Sequence, residues 1–306
     1  MAAIEAAAAA FPAWAASSPA VRQLVFLKAA DALERRRAEV IRALALETGC
    51  TRHFADVQAD FAISLLRQCS ALPYAPLGSV LPSNDPGMRA HAVRRPVGVV
   101  AAVAPWNASL SLSGRAIAGP LALGNTVVLK PSEESPFTGG ALWVEIFQEA
   151  GLPAGVLNLV THAHGSAGVV AEELISHPQV RRVNFTGSTP TGRRLAENAG
   201  RHLKRVALQL SGQNPLLILN GVDLDHAAAA TTYGSFIHQG QVCMCARRIY
   251  VERPIAEAFL DRFIPKVSAL PMGDPADPRT VIGPLINQWA LSLISRRVDE
   301  AVRGGA

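Results

Sequence analysis

The chain is poor in the residues that usually announce a binding surface or a covalent framework. Only four of its 29 basic residues are lysine, a skew we read as coding bias, and aromatics make up 6%. Its formal charge of +5 therefore comes from arginines scattered without interleaved aromatics, which excludes a nucleic-acid partner. The tightest cluster, Arg35-Arg36-Arg37, falls on the solvated face of a helical pattern. There are four cysteines, Cys50, Cys69, Cys243 and Cys245, and none has the spacing of a disulfide framework or a metal site. Cys243-Met244-Cys245 is too short for a thioredoxin-type pair, so a reducing cytoplasm is the expected location. The eight histidines have no metal-ligand spacing either, and no metal is expected; solvated or capping roles suit nearly all of them, with His238 lying nearest the cysteine pair. No apolar run is long enough to span a bilayer. The alanine-rich start carries Glu5 and no basic segment, which argues against a signal peptide. No internal repeat is visible.

What the chain does have is apolar material. Over 306 residues 49% are hydrophobic, and a mean hydropathy of +0.21 excludes disorder and supplies a large core, enough for two domains. Helical spacing of Val21, Leu24, Val25, Leu27, Leu33, Val40, Ile41 and Leu44 predicts one long amphipathic helix from 21 to 46. A second follows from 52 to 71, and the segment 78–95, built around Ser83-Asn84-Asp85-Pro86-Gly87, reads as a hairpin. From 97 onward apolar strands alternate with helices, and the expected fold class is α/β with a doubly wound parallel sheet.

Three turns in that region carry chemistry. Phe185-Thr186-Gly187-Ser188-Thr189-Pro190-Thr191-Gly192 leads from a strand through glycine into a helix, a ready anion site at a helix N-terminus. It lacks the Gly-x-Gly-x-x-Gly fingerprint, so alone it is weak evidence. Pro105-Trp106-Asn107 and Lys130-Pro131-Ser132-Glu133 follow the first two strands, at the ends where open α/β sheets bind ligands. Read structurally, Asn107 could cap the helix that begins near Ser111, and Lys130 could be a surface lysine. Downstream, Phe236-Ile237-His238-Gln239-Gly240-Gln241-Val242-Cys243 sets a cysteine just past a glycine, and a thiolate is the chain's best carbonyl nucleophile. A lone cysteine is more often a small core residue.

Taken together and in order, these runs resemble the aldehyde dehydrogenase superfamily, whose cofactor turn reads Phe-Thr-Gly-Ser-Thr-x-x-Gly. Gly124-Asn125-Thr126, Gly151-Leu152-Pro153 and Gly283-Pro284-Leu285 extend the resemblance over nearly the whole chain. Its texture is most similar to the salicylaldehyde, vanillin and benzaldehyde dehydrogenase branch. The resemblance implies an NAD-binding domain over 1–77 and 96–210 with a Rossmann-like sheet, a protruding oligomerisation hairpin at 78–95, and an incomplete catalytic domain over 211–306. It implies a homo-oligomer, a dimer or tetramer. Cys243 then becomes the nucleophile that oxidises an aromatic aldehyde through a thiohemiacetal and a thioester. Asn107 becomes the oxyanion donor, a role typically worth about 3 kcal/mol of barrier. Pro105, Trp106, Lys130, Ser132, Glu133, Phe185, Thr186, Gly187, Ser188, Gly192 and Leu210 would bind the cofactor. Lys130 and Glu133 would take its adenosine ribose hydroxyls, and Glu133 favours NAD over NADP.

Two departures qualify that expectation. Where the family carries Leu-Glu-Leu-Gly-Gly, with the glutamate as general base, this chain reads Leu208-Gln209-Leu210-Ser211-Gly212. Gln209 positions water but cannot deprotonate it, so thioester formation should survive better than its hydrolysis. The chain also stops at Arg303-Gly304-Gly305-Ala306, in the middle of the family's pattern, so a truncation is expected to remove a nicotinamide-ribose motif and the strand that pairs with a partner's hairpin. A rival reading is a non-catalytic remnant that binds NAD or a full-length relative. A third is acyl transfer through Cys243 without redox chemistry.

Overall fold

The alternation of apolar strands and helices between residues 97 and 210 produces one five-stranded parallel sheet. The computed structural model describes residues 1–306. The hairpin comes first: β1 (Gly78–Leu81) and β2 (Ala90–Val93) pair antiparallel, Gly78 opposite Val93. Its turn is held by Asp85, whose carboxylate accepts from Gly87 N at 2.9 Å. Next come β3 (Val99–Val103), β4 (Thr126–Lys130), β5 (Leu157–Leu159), β6 (Val180–Thr186) and β7 (Arg205–Gln209), ordered β5-β4-β3-β6-β7. Every pairing in this sheet is parallel.

Because the chain leaves β3 for β4 and β5 and then returns to β6 on the other side, the order reverses between β3 and β6. Loops leaving the carboxyl ends of those two strands diverge and open a crevice, which is where such sheets bind ligands.

Helices cover both faces of the sheet. On one, α1 (Ala2–Ala16), α7 (Ala167–Ser176) and α8 (Thr189–Arg201) bury Ile4, Ala7, Leu174, Ile175, Leu195 and Ala199 against Val99, Ala101, Val103, Val183 and Phe185. Successive strand side chains point to opposite faces, so Val100 and Ala102 turn toward α5 (Ser109–Ala122), which packs on β3, β4 and β6. Behind it α6 (Leu142–Glu149) packs on α2 (Pro19–Arg35), where Phe26 and Phe147 meet edge to face, centroids 5.4 Å apart.

The helix expected over 21–46 is two: α2 ends at Arg35, and α3 (Arg37–Thr48) begins after Arg36, whose φ of −90° and ψ of 8° leave the helical range. The break lets Arg35 and Arg36 reach Glu149 and Glu145 of α6 at 2.5 and 2.6 Å. Nothing in the sequence reading placed α1. Its near-uniform alanine offers no periodicity, yet Trp14 Nε1 donates to Leu121 O at 3.0 Å and fixes it to the sheet unit.

The chain divides into two compact units, 1–37 with 59–210 and 38–58 with 211–306, the second division falling inside α4 (Arg52–Cys69). In the second unit β8 (Pro215–Ile218) and β9 (Arg248–Val251) pair parallel. They pack through Ile218, Ala227, Ala228 and Phe259 on α9 (Leu224–Phe236) and α10 (Ala256–Ser268). The chain ends in α11 (Gln288–Arg303), none of whose residues is buried. No helix is long and apolar enough to cross a membrane.

Candidate active site

The candidate residues fall into two groups, one in each unit. In the sheet unit the cofactor candidates line the carboxyl ends of four neighbouring strands. Pro105, Trp106 and Asn107 leave β3, next to the turn that leaves β6, since Val103 and Phe185 are register partners. The helix after β3 has Ala108 as its N-cap, with no side-chain bond. Asn107 is therefore not the capping residue that a purely structural reading would make it.

After β6, Ser188 caps α8 by accepting from Thr191 N, and no acidic residue occupies the first turn of that helix. Gly187 N donates to Gln209 O at 3.0 Å, which ties the turn to the end of β7. A β-carbon on Gly187 would come within 2.5 Å of Phe185 Cζ, and one on Gly192 would run into Leu210. These glycines thus let a helix N-terminus sit directly on the strand ends, and the positive end of its dipole fits a pyrophosphate.

At the end of β4, Lys130 is 5% exposed and donates to Pro131 O at 3.1 Å. Burial lowers its pKa, opposed by the charge of Glu133. Glu133 itself is pulled in both directions. Burial raises its pKa, but its own backbone amide, His162, Lys130 and Ser132 together hold it below the ordinary carboxylate range. Ser132 Oγ donates to Glu133 Oε2 at 3.3 Å. An ionised carboxylate beside an ammonium fits a vicinal diol, which donates to one and accepts from the other. Gln209, the last residue of β7, is exposed, and Leu210 follows it against Gly192.

In the second unit the cysteine loop is built by carboxamides. His238 and Gln239 both adopt left-handed backbone, φ 49° and 58°, and they reverse the chain after α9. Gln239 Nε2 donates to Gly49 O at 3.0 Å and Pro284 O at 2.8 Å. Gln241 Oε1 accepts from Ile286 N at 3.1 Å. Asn214 donates through one amide nitrogen to the carbonyls of Cys243 and of Cys245, the latter at 3.0 Å. Gln239, Gln241 and Asn214 thus act as positioning residues whose partners lie up to 190 positions away. In sequence, Gln239 and Gln241 show only as carboxamides beside the cysteine, while Asn214 lies 29 positions before it.

Cys243 is the one cysteine that is not buried. Burial pushes the thiol of Cys50 up to about 12 and raises those of Cys69 and Cys245 as well, which makes them poor nucleophiles. His238 does not supply a cation to this loop near neutral pH, because burial lowers its pKa to about 4. No group of three or more His, Cys, Asp or Glu side chains is arranged to hold a metal ion.

The model of the Aldehyde dehydrogenase family matches residues 1–306. A vanillin dehydrogenase of a Pseudomonas species is 46% identical over 305 residues, which are 100% of this chain and 63% of that protein. A salicylaldehyde dehydrogenase from Pseudomonas putida G7, solved with salicylaldehyde, superposes with a TM-score of 0.96 at 38% identity, over 99% of this chain and 63% of its own. An NAD-dependent benzaldehyde dehydrogenase from Corynebacterium glutamicum gives 0.94 at 39% identity, over 99% and 66%. The chain thus spans less than two thirds of the length of these relatives. A family match that runs over all of its residues shows that this chain belongs to the aldehyde dehydrogenase family.

Proposed function

We propose that the chain oxidises an aromatic aldehyde to its carboxylic acid with NAD, through a thiohemiacetal and then a thioester on Cys243. The observation that carries this reading is the presentation of Cys243: the one thiol outside the core, on a loop whose backbone is pinned by Asn214. The substrate class rests on the relatives, named for vanillin, salicylaldehyde and benzaldehyde.

The thiolate of Cys243 attacks the carbonyl carbon, and the oxygen gains negative charge as the C–S bond forms. Donors fixed in advance at that oxygen lower the barrier. The Asn107 carboxamide and the Cys243 backbone N–H fill that role. NAD, when bound, supplies the hydride acceptor; Gly187, Ser188 and the first turn of α8 hold its pyrophosphate, with Lys130 and Glu133 on its adenosine ribose. Glu133 repels a 2′-phosphate and so prefers NAD to NADP. Water then releases the acid from Cys243. Gln209 orients that water by hydrogen bonding but leaves its proton in place, so release is the slow step.

The sheet unit serves the cofactor and the second unit the thiol, while the exposed hairpin, with Val80 72% and Leu81 47% exposed, serves contact between copies of the chain. Gln209 also supports a second reading, a protein that binds NAD and acylates once but scarcely turns over.

Rapid mixing of the purified protein with NAD and vanillin, salicylaldehyde or benzaldehyde tests both. A burst of NADH equal to the Cys243 titre followed by slow turnover supports the mechanism. Absence of any burst in the presence of bound NAD defeats it.

A further inference from the structure

The root of the hairpin encloses a cavity that the proposed reaction does not use. Its volume is about 560 Å³, within the roughly 300–1,000 Å³ of small-molecule sites, and every residue that lines it belongs to the sheet unit. One wall is apolar, built by Leu72 and Leu77 before the hairpin, Val97 after it, Val100 of β3, and Pro120 and Leu123 at the end of α5. Asn125 holds that wall in place. Its Oδ1 accepts from Val97 N at 2.7 Å and from Gly98 N at 3.3 Å, while its Nδ2 donates to Pro120 O at 3.1 Å.

The opposite wall carries cations without counter-charges. Val183 and Phe185 of β6 point into the core under α1, α7 and α8, so Arg182 and Asn184 point to the α5 face, where they line the cavity together with Arg94 and Arg95. The three arginines are exposed and make no ion pair, and no Asp or Glu lines the cavity. Arg182 also stands opposite Arg205 in register, and like charges so placed repel. Asn184 is half-buried, and its carboxamide has no hydrogen-bond partner.

We infer that this cavity is a binding site for an aromatic carboxylate, its ring against the apolar wall and its carboxylate among Arg94, Arg95 and Arg182. A guanidinium takes a carboxylate through paired N–H donors, and Asn184 adds a donor for a further oxygen. A compact anion such as inorganic phosphate would meet the arginines but leave the apolar wall against water. A neutral arene would cover the wall and leave Arg182 opposed to Arg205. A ligand that joins a ring to a carboxylate answers both. The site goes beyond the reaction proposed above and needs neither NAD nor Cys243, although an acid of this class is what that reaction would release.

Isothermal titration of the full chain with vanillate, its neutral amide vanillamide and inorganic phosphate tests this without aldehyde or cofactor. The wild type should bind vanillate more tightly than the other two. Arg182→Gln removes one of two opposed charges, so its thermal midpoint should hold, while its affinity for vanillate falls about tenfold or more and that for vanillamide stays as it was. Gly119→Phe sets a ring in the cavity, since Gly119 lines it and a β-carbon there meets no atom within 4 Å; it should weaken acid and amide alike. Unchanged vanillate affinity in Arg182→Gln would overturn the inference, as would vanillamide binding as tightly as the acid, or phosphate binding more tightly than either. Full affinity in a folded Gly119→Phe protein would place the acid elsewhere and overturn it too. If that variant does not fold, the contrast between acid and amide in Arg182→Gln decides alone. Absence of saturable binding by the wild type defeats the inference and leaves the burst experiment, and the reaction it tests, untouched.

Discussion

The imidazole of His238 lies stacked on the ring of Phe54, centroids 4.9 Å apart and planes inclined by 26°. Both belong to the second unit, and the stack fixes a histidine five residues before Cys243 in a place where it cannot readily ionise.

That placement has a consequence for acid stability. The pKa of His238 falls from 6.5 to about 4 through burial, so between those values the unfolded chain holds a proton that the folded chain does not. More protons on the unfolded state mean that stability rises with pH across this window and is lost as pH drops from 6.5 toward 4. The share due to His238 between pH 7 and pH 5 is about 2 kcal/mol. His238→Asn, whose residue tolerates the left-handed backbone at φ 49°, should lose correspondingly less over the same interval. Urea midpoints for both proteins at the two pH values measure it; parallel pH dependence would refute the assignment.

Replacement of Gln209 by glutamate should restore a base at the end of β7. If hydrolysis of the thioester limits turnover, Gln209→Glu raises steady-state kcat by about 10²-fold or more while the burst phase stays as it was. An unchanged kcat would show that proton abstraction from water is not what slows this chain.

Asn214 binds the loop from below through two carbonyls and has φ 28°. Asn214→Asp keeps the preference for positive φ and removes the donor, setting a carboxylate against the Cys243 and Cys245 carbonyls. We expect a loss of about 1–3 kcal/mol in stability and faster alkylation of Cys245, which in the native loop is 2% exposed. Peptide mapping after a timed pulse of iodoacetamide reads the second effect directly. Labelling confined to Cys243 in the variant would mean that the loop keeps its shape without the clamp.

Close packing under the cofactor turn predicts an asymmetry between its two glycines. A methyl at 187 meets the rigid ring of Phe185, whereas one at 192 meets chiefly the flexible end of Leu210. Gly187→Ala should therefore destabilise more, by about 1–3 kcal/mol, and weaken binding of NAD. Gly192→Ala should be largely rescued by Leu210→Ala. Thermal midpoints with and without NAD decide this, and failure of the Leu210 rescue would show that the backbone rather than the side chain blocks the site.

Much of the sheet unit was legible because its central strands β3 and β4 are short apolar runs closed by polar turns, with strands and helices alternating beyond them. The candidate residues sit on those same turns, so the motif and the strand end were found together. What escaped notice was long-range or featureless. Residues 2–16 are too uniformly apolar to show a period, and α1 is recognisable only once Trp14 is seen to reach Leu121. The break at Arg36 accompanies ion pairs of Arg35 and Arg36 with Glu149 and Glu145, more than a hundred residues away. Gln239 belonged to the recognised cysteine motif, but its hydrogen bond to Gly49 O links positions that no local pattern relates.

The interleaving of the two units has a bearing on biosynthesis. Residues 38–58 emerge from the ribosome early, but their structural companions begin only at 211. The intervening stretch of about 150 residues takes roughly 10–30 s to synthesise at common elongation rates. Throughout that interval α3, with Val40, Ile41 and Leu44 destined for burial, lacks the 211–306 part of its unit. The nascent chain is therefore expected to present a chaperone-binding segment for most of its translation. A single peptide-bond cut at the 210/211 junction, moreover, would release no self-sufficient second unit, because part of that unit would stay covalently attached to the first.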